Sequence, residues 1–352
     1  MPLTSCFALL IGIFLFASKI ALCDDKVSIP AQSTCKATPP AITSSCYPSL
    51  VSDIEFPNTT ITGSERPGWW CQARDEYGWL GFSYDVGHCP SEMEMSLTFN
   101  WMKRKKNARY VRIYSNCDQD SFNKHLINAA ATAQIGVYAL IWFGFQGDSV
   151  WRTRKENLLK AIRENILAPY TIRAVTLGSE PLYDGVLDVK ELSDELKKLA
   201  SELEPYWIPV TISEMTYGFQ INDNAPSIFE AMDLVSLNVL PVFDSHATTS
   251  NLAWNSVEFC INYGKLHGKG KPVVITQTGW PSNKDQAGNS KATTDIRQEK
   301  NYFDLLSDHC EYFKEQGVGW FAHIFAENSL SGWGVVLENS SEKFPFNPLT
   351  NC

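Results

Sequence analysis

Lys271-Pro272-Val273-Val274-Ile275-Thr276-Gln277-Thr278-Gly279-Trp280-Pro281 decides how this chain is read. A short apolar run ends in a polar residue, and Gly, an aromatic and Pro follow. That is the pattern of a buried parallel strand whose C-terminal end opens into a loop. Working outward, the same kind of run recurs at Leu80 to Tyr84, Tyr110 to Tyr114, Gly136 to Trp142, Ala174 to Leu177, Pro209 to Ile212, Leu234 to Val239 and Gly319 to Phe325. Helical stretches separate the runs. Between the fourth and fifth, Asp188 to Glu204 carries Leu192, Leu196, Leu199 and Leu203 at helical spacing, and Pro205 ends it. Eight strands with intervening helices predict an α/β chain folded as a (β/α)8 TIM barrel. An open doubly wound sheet is the runner-up, but the Gly-rich phosphate loop it usually carries after an early strand is not visible.

The rest of the chain sets the context. Its 352 residues are 44% hydrophobic and 20% charged, which suits one large packed barrel. A net charge of -9 argues against nucleic acid or an anionic membrane as partner and is compatible with a neutral polysaccharide. Residues 1–23 hold an apolar run from Phe7 to Ala17 and end Ala21-Leu22-Cys23, which reads as a secretory signal peptide. Lys19 and the absence of a leading basic residue depart from that pattern, and the run is short for a membrane span. Residues 24–70 are rich in Ser, Thr and Pro and read as an N-terminal extension pinned by Cys35, Cys46 and Cys71; residues 71–352 form the barrel unit. With Cys6 and Cys23 in the signal, eight cysteines remain: Cys35, Cys46, Cys71, Cys89, Cys117, Cys260, Cys310 and Cys352. They allow up to four disulfides of unspecified pairing. Asn58-Thr59-Thr60 and Asn339-Ser340-Ser341 are glycan acceptor sequons. Neither the cysteines nor the six histidines show metal-ligand spacing, and no cofactor is expected. The eleven Trp and thirteen Tyr suit core packing individually, and as a set suit a groove that stacks on sugar rings.

In a (β/α)8 barrel the site is built where strands end. Those ends carry Tyr84 and Asp85, Arg112 and Tyr114, Trp142, Glu180, Glu214, Asn238, Gln277 and Glu327. A retaining glycosidase needs two carboxyl groups ~5–5.5 Å apart, one acid/base and one nucleophile. The ends of the fourth and seventh strands can supply such a pair across the barrel mouth.

Six segments sharpen this reading: Gly81-Phe82-Ser83-Tyr84, Val111-Arg112-Ile113-Tyr114-Ser115 with Cys117, Val175-Thr176-Leu177-Gly178-Ser179-Glu180, Leu237-Asn238-Val239-Leu240-Pro241, Ile275 to Pro281, and Phe325-Ala326-Glu327-Asn328. In that order the chain resembles the glycoside hydrolase family 17 β-1,3-glucanases and glucan transglucosylases of fungal cell walls, over about residues 78 to 338. The resemblance implies a β-1,3-glucan ligand, Glu180 at the acid/base position and Gln277 at the nucleophile position. It implies substrate-binding positions at Tyr84, Arg112, Tyr114, Trp142, Ser179, Asn238, Trp280 and Glu327. Three departures fall on the site. Gln277 stands for a Glu, Ser179 for an Asn expected to bond the sugar 2-hydroxyl, and Leu330 near a Lys that many members carry.

The first departure is severe. Gln keeps the shape of Glu but has no negative charge, and an amide is a very poor nucleophile. Losing the nucleophilic carboxylate costs of order 10^3-fold or more in rate. Binding need not suffer, because an amide both donates and accepts hydrogen bonds. Three readings follow. The chain is a secreted glucan-recognising protein with weakened or lost hydrolysis. Alternatively, it is an active glucanase or transglucosylase in which Glu214 or Glu327 compensates, although Glu214 lies on a different strand. Thirdly, it is a structural cell-wall protein without glucan turnover. Trp280 reads equally as a sugar platform or as core. Arg112, on an apolar strand, calls for a carboxylate partner near the site.

Overall fold

A computed structural model describes residues 46–50, 53–57, 68–144, 149–288 and 290–352. The expected signal peptide, Cys35 and the Asn58 sequon lie outside the described residues.

Eight strands alternate with helices: β1 Gly78–Asp85, β2 Tyr110–Tyr114, β3 Gly136–Ile141, β4 Ile172–Ser179, β5 Val210–Glu214, β6 Val235–Val239, β7 Val273–Thr278 and β8 Gly319–Ala322. Each pairs in parallel with the next and β8 closes on β1, giving the (β/α)8 barrel. All eight expected strands are present, with ends that coincide with the expected ones or shift by up to three residues. The leucine-spaced helix runs Val189–Leu203; Asp188 caps it by accepting from Glu191 N, and its four leucines are buried.

The strands alternate as a barrel requires. On β2, Val111 and Ile113 pack toward the helices, while Tyr110 sits in the inner cluster with Leu80, Tyr138, Ala174, Leu234, Val274 and Phe321. Arg112 and Tyr114 continue that inner row toward the mouth. The inner cluster is closed from below by Trp70, which stacks on Tyr110. Cys46–Cys71 ties this N-terminal segment together. Tyr47 reinforces it by donating to Ile135 O at 2.7 Å and stacking on Trp69.

Two further disulfides are present among the described residues, Cys89–Cys117 and Cys310–Cys352. Cys89–Cys117 joins the loops after β1 and β2 and so braces one side of the mouth. Cys260 takes part in none of the three. No helix among the described residues is long and apolar enough to cross a membrane.

Candidate functional site

The C-terminal ends of β2, β4, β6 and β7 converge. Arg112, 1% exposed, reaches from β2 to both key strands. Its Nη2 donates to Ser179 Oγ at 2.9 Å, and its Nη1 donates to Gln277 Oε1 at 3.4 Å. One guanidinium therefore holds the end of β4 beside the end of β7. Gln277 faces inward although its inner neighbour Thr276 does too, because the β7 ladder shifts register between Ile275 and Thr278. That irregularity delivers residue 277 to the mouth.

Glu180 sits just past β4 with a left-handed backbone, φ 59°, and its N–H donates to Ser213 O at 2.6 Å. Such a conformation is uncommon for a Glu and turns the side chain out of the strand alternation. Gly178, φ 90°, precedes it, and a Cβ there would lie 2.7 Å from the Phe143 ring. The Glu180 carboxylate accepts from Asn238 Nδ2 at 2.9 Å. Asn238 is itself fixed, since its Oδ1 accepts from Ser213 Oγ at 2.7 Å, and Ser213 Oγ lies 2.6 Å from Thr276 Oγ1. Burial pushes the Glu180 carboxyl above its ordinary range and Asp184 adds to the push; Asn238 and Arg112 pull against it. A raised carboxyl favours the protonated form, as a proton donor requires.

Arg112 has no ion pair among the described residues, and its buried Nε has no hydrogen-bond partner. Among the described residues no carboxylate lies within ion-pair distance of it; two neutral groups, Ser179 and Gln277, accept from it, and Glu180 acts on it only through its charge. Burial lowers its pKa to about 10, against the opposing charges of Tyr114 and Glu180. Tyr114 lies under the guanidinium, 5.5 Å from its ring centroid, and 5.0 Å from the ring of buried His323.

Other expected site residues fall differently. Trp280 is fully buried, and its Nε1 donates to Thr293 O at 3.0 Å, so it is core and cannot serve as a sugar platform. Tyr84 is 5% exposed and packs edge-on against Phe99, which makes it mainly a wall. Trp142 is half-buried after β3, where Arg154 covers its ring at 5.7 Å. Glu214 continues the outward row of Val210 and Ile212, away from the barrel axis. Its carboxylate accepts from the N–H groups of Leu182, Tyr183 and Met215, and a Cβ at Gly218 would lie 2.3 Å from its Oε1. It clamps the loop after Glu180. Glu327 accepts from Gly332 N and Gly334 N and pairs with Lys343 at 2.7 Å. It lines a cavity of about 540 Å³ together with Asn328, Ser331 and Leu337. The cation absent at Leu330 is thus supplied beside Glu327 by Lys343, which also pairs with buried Glu299.

Sequence reasoning passed over several mouth residues. Tyr183, Tyr217 and Phe243 are exposed just after β4, β5 and β6, and the first two rings lie 6.2 Å apart. Their position past a strand end was a usable signal. Ser213 and Thr276 were not, because a small hydroxyl residue in a strand gives no pattern of its own.

Residues 81–326 match the BtgE/BtgC glycoside hydrolase domain. Among solved structures, the family 17 β-1,3-glucanosyltransferase of Rhizomucor miehei matches with a TM-score of 0.62 at 20% identity, over 79% of this chain and 99% of that one. An active-site mutant of the Rhizomucor miehei enzyme in complex with laminaritriose gives 0.62 at 21% identity, over 77% and 98%. A β-glucuronidase of Faecalibacterium prausnitzii gives 0.54 at 15% identity, over 76% and 47%. At these identities the likeness is one of fold. Curated protein sequences return no match.

Proposed function

The chain belongs to the BtgE/BtgC glycoside hydrolase domain family, and from that premise we propose that it is a secreted protein that recognises β-1,3-glucan at the barrel mouth with hydrolysis weakened or lost. Glu180 takes the acid/base position and Gln277 the nucleophile position. Arg112, Tyr114, Trp142, Ser179 and Asn238 surround the sugar. The observation that carries this reading is the pairing of Gln277 with Arg112 in the inward position at the end of β7.

The chemistry follows from charge. An oxocarbenium-like transition state needs a negative charge beneath the anomeric carbon. Here that place is held by a neutral amide next to a buried cation, which disfavours positive charge on the sugar. A ground-state sugar carries no such charge and is not penalised. Glu180, held by Asn238, is still placed to donate a proton or a hydrogen bond.

The compensating carboxylates are badly placed for an active enzyme. Glu214 points away from the axis and is held by three backbone N–H groups. Glu327 is held by two N–H groups and Lys343. Moving either would leave buried donors unpaired, at a cost of about 1–3 kcal/mol per group.

The test incubates the protein with laminari-oligosaccharides, follows products by mass, and repeats with Gln277→Glu. The expected outcome is binding without turnover in the parent and at least a ~10^3-fold gain in the variant. Turnover in the parent that the variant does not improve, and that Glu214→Gln abolishes, would replace this reading with that of an active enzyme. The secretory leader and a glycan at Asn339, whose side chain is exposed, belong to the same proposal. Both are checked by N-terminal sequencing and by glycosidase-sensitive mass of the exported protein.

A further inference from the structure

The open cavity of about 540 Å³ beside Glu327 has a size typical of small-ligand sites. One wall is the loop after β8, with Glu327, Asn328 and Ser331; the other is the turn at 337–341, with Leu337, Glu338 and Asn339. Backbone bonds fix that turn. Val336 bridges to both Ala326 and Glu342, Leu337 N donates to Ser341 O at 2.8 Å, and Ser340 N donates to Leu337 O at 2.9 Å. All five of its residues are nonetheless exposed.

The cavity borders an ion-pair hub with one open side. Lys343 pairs at 2.7 Å with Glu299 and at 2.7 Å with Glu327. Lys343 and Glu299 are closed off from water, while the Glu327 side chain is 24% exposed and lines the cavity.

Asn339 has two roles here. It is a wall of the cavity and the acceptor of the sequon Asn339-Ser340-Ser341. The triplet itself orients the amide: Oδ1 accepts from Ser341 N at 3.0 Å and from Ser341 Oγ at 2.6 Å. Nδ2, the atom a glycan joins, takes no part in those bonds. The other walls suit the first sugar of such a glycan. Leu337 offers a part-exposed apolar surface, and Asn328 and Ser331 offer exposed polar groups. N-acetylglucosamine has C–H groups on its ring face and hydroxyls and an acetamide around its edge.

We infer that Asn339 carries an N-linked glycan whose first N-acetylglucosamine folds back into this cavity and closes the open side of the Lys343 hub. The inference rests on the secreted, glycosylated reading given above and adds a seat for the sugar. Attachment forms a bond from Asn339 Nδ2 to C1 of the sugar and breaks the bond from C1 to its lipid-pyrophosphate carrier. The amide proton and the pyrophosphate leaving group depart; the carrier-linked oligosaccharide is the co-reactant. Once seated, the sugar lays its apolar face on Leu337 and turns its polar edge to Asn328 and Ser331. It removes water from the Glu327–Lys343 pair, which solvent otherwise weakens. It also ties the turn at 337–341 to the loop after β8. The outer sugars extend into solvent.

The test takes the whole protein, exported by a glycosylating host, in three forms. One is intact, one is trimmed by an endoglycosidase that leaves only the first N-acetylglucosamine, and one is stripped by an amidase. Hydrogen exchange is read locally, on peptides covering residues 326–343. The intact and trimmed forms are expected to match, and to exchange about tenfold more slowly than the stripped form, the return on one buried apolar contact and two hydrogen bonds. Asn339→Gln should exchange like the stripped form, which excludes an effect of the charge the amidase leaves. Leu337→Ser keeps the sequon and should erase most of the difference. An unmodified Asn339 by mass removes glycosylation at this site from the reading above, and the inference with it. Equal exchange in all three forms, with the glycan present, overturns the seat while secretion and glycosylation stand. Protection in the intact form alone would come from the outer sugars and overturns the seat as well. Should Asn339→Gln be exported poorly, the trimmed and stripped forms of the parent decide.

Discussion

Two barrel strands each turn an arginine into the barrel, and the two ends of the barrel treat them differently. At the floor, Arg173 on β4 pairs with buried Glu76 through Nε at 3.2 Å and Nη2 at 3.0 Å. Tyr110 donates to the same carboxylate, and Trp70 lies over the guanidinium at 5.7 Å. Burial alone would lower the Arg173 pKa, but the Glu76 charge overrides it and holds it above the ordinary value. At the mouth, Arg112 on β2 is more fully buried and has only Ser179 and Gln277 as hydrogen-bond acceptors. The fold can complete a buried charge when only stability is at stake. The incomplete charge sits where strand ends build ligand sites.

The sharpest way to break this comparison is to make the floor resemble the mouth. Glu76→Gln leaves Arg173 and Tyr110 facing an amide, as Arg112 faces Gln277. Breaking a buried pair by removing one partner typically costs about 3–5 kcal/mol, so urea unfolding should show a loss of that size. A loss below about 1 kcal/mol, the level of an exposed pair, would mean the floor pair is screened and the contrast is one of appearance.

Next in size is a pH effect centred on His323. Burial, with help from the Arg112 charge, lowers its pKa from 6.5 to about 3. A folded-state value below the unfolded one means that the unfolded chain binds more protons between the two. Stability from keeping this ring neutral is therefore full above pH 6.5 and lost as pH falls toward 3. At pH 5 the loss is about 2 kcal/mol by linkage. Glu214 and Glu299, each pushed up to about 8 by burial, act with the opposite sign between their ordinary value and 8. The diagnostic is a difference: His323→Asn should flatten the acid limb relative to the parent. An unchanged acid limb would show that the ring is protonated in the native state.

The barrel was legible because its strands announce themselves. Val273 to Thr276 or Val235 to Val239 are apolar runs that only a doubly covered parallel sheet buries. Strand periodicity also placed Arg112, Tyr114, Glu180, Asn238 and Gln277 at ends that do converge. It failed where the period breaks or where two residues separate a side chain from its expected direction. Trp280 follows Gln277 by three residues, yet the turn at Gly279 carries it into the core. Glu214 ends β5 as Gln277 nears the end of β7, but it falls on the outward row while the β7 register shift turns Gln277 inward. Lys343 lies sixteen residues past Glu327, a contact made by the return of the C-terminal segment that no local pattern encodes.

The smallest expected effect completes the mouth in the manner of the floor. Gln277→Glu places a carboxylate where Arg112 now meets an amide. The added attraction is offset by the cost of burying a second charge, so the net gain in unfolding free energy should be about 1 kcal/mol. Its pH signature separates pairing from better packing. A carboxyl paired with Arg112 has a folded-state pKa below its unfolded value near about 4.3. The gain should then be full above that pH and fade as pH falls through the lower, folded value. A gain that persists unchanged into acid would come from packing alone. A loss of stability at neutral pH would mean that the enclosed mouth cannot hold a second charge.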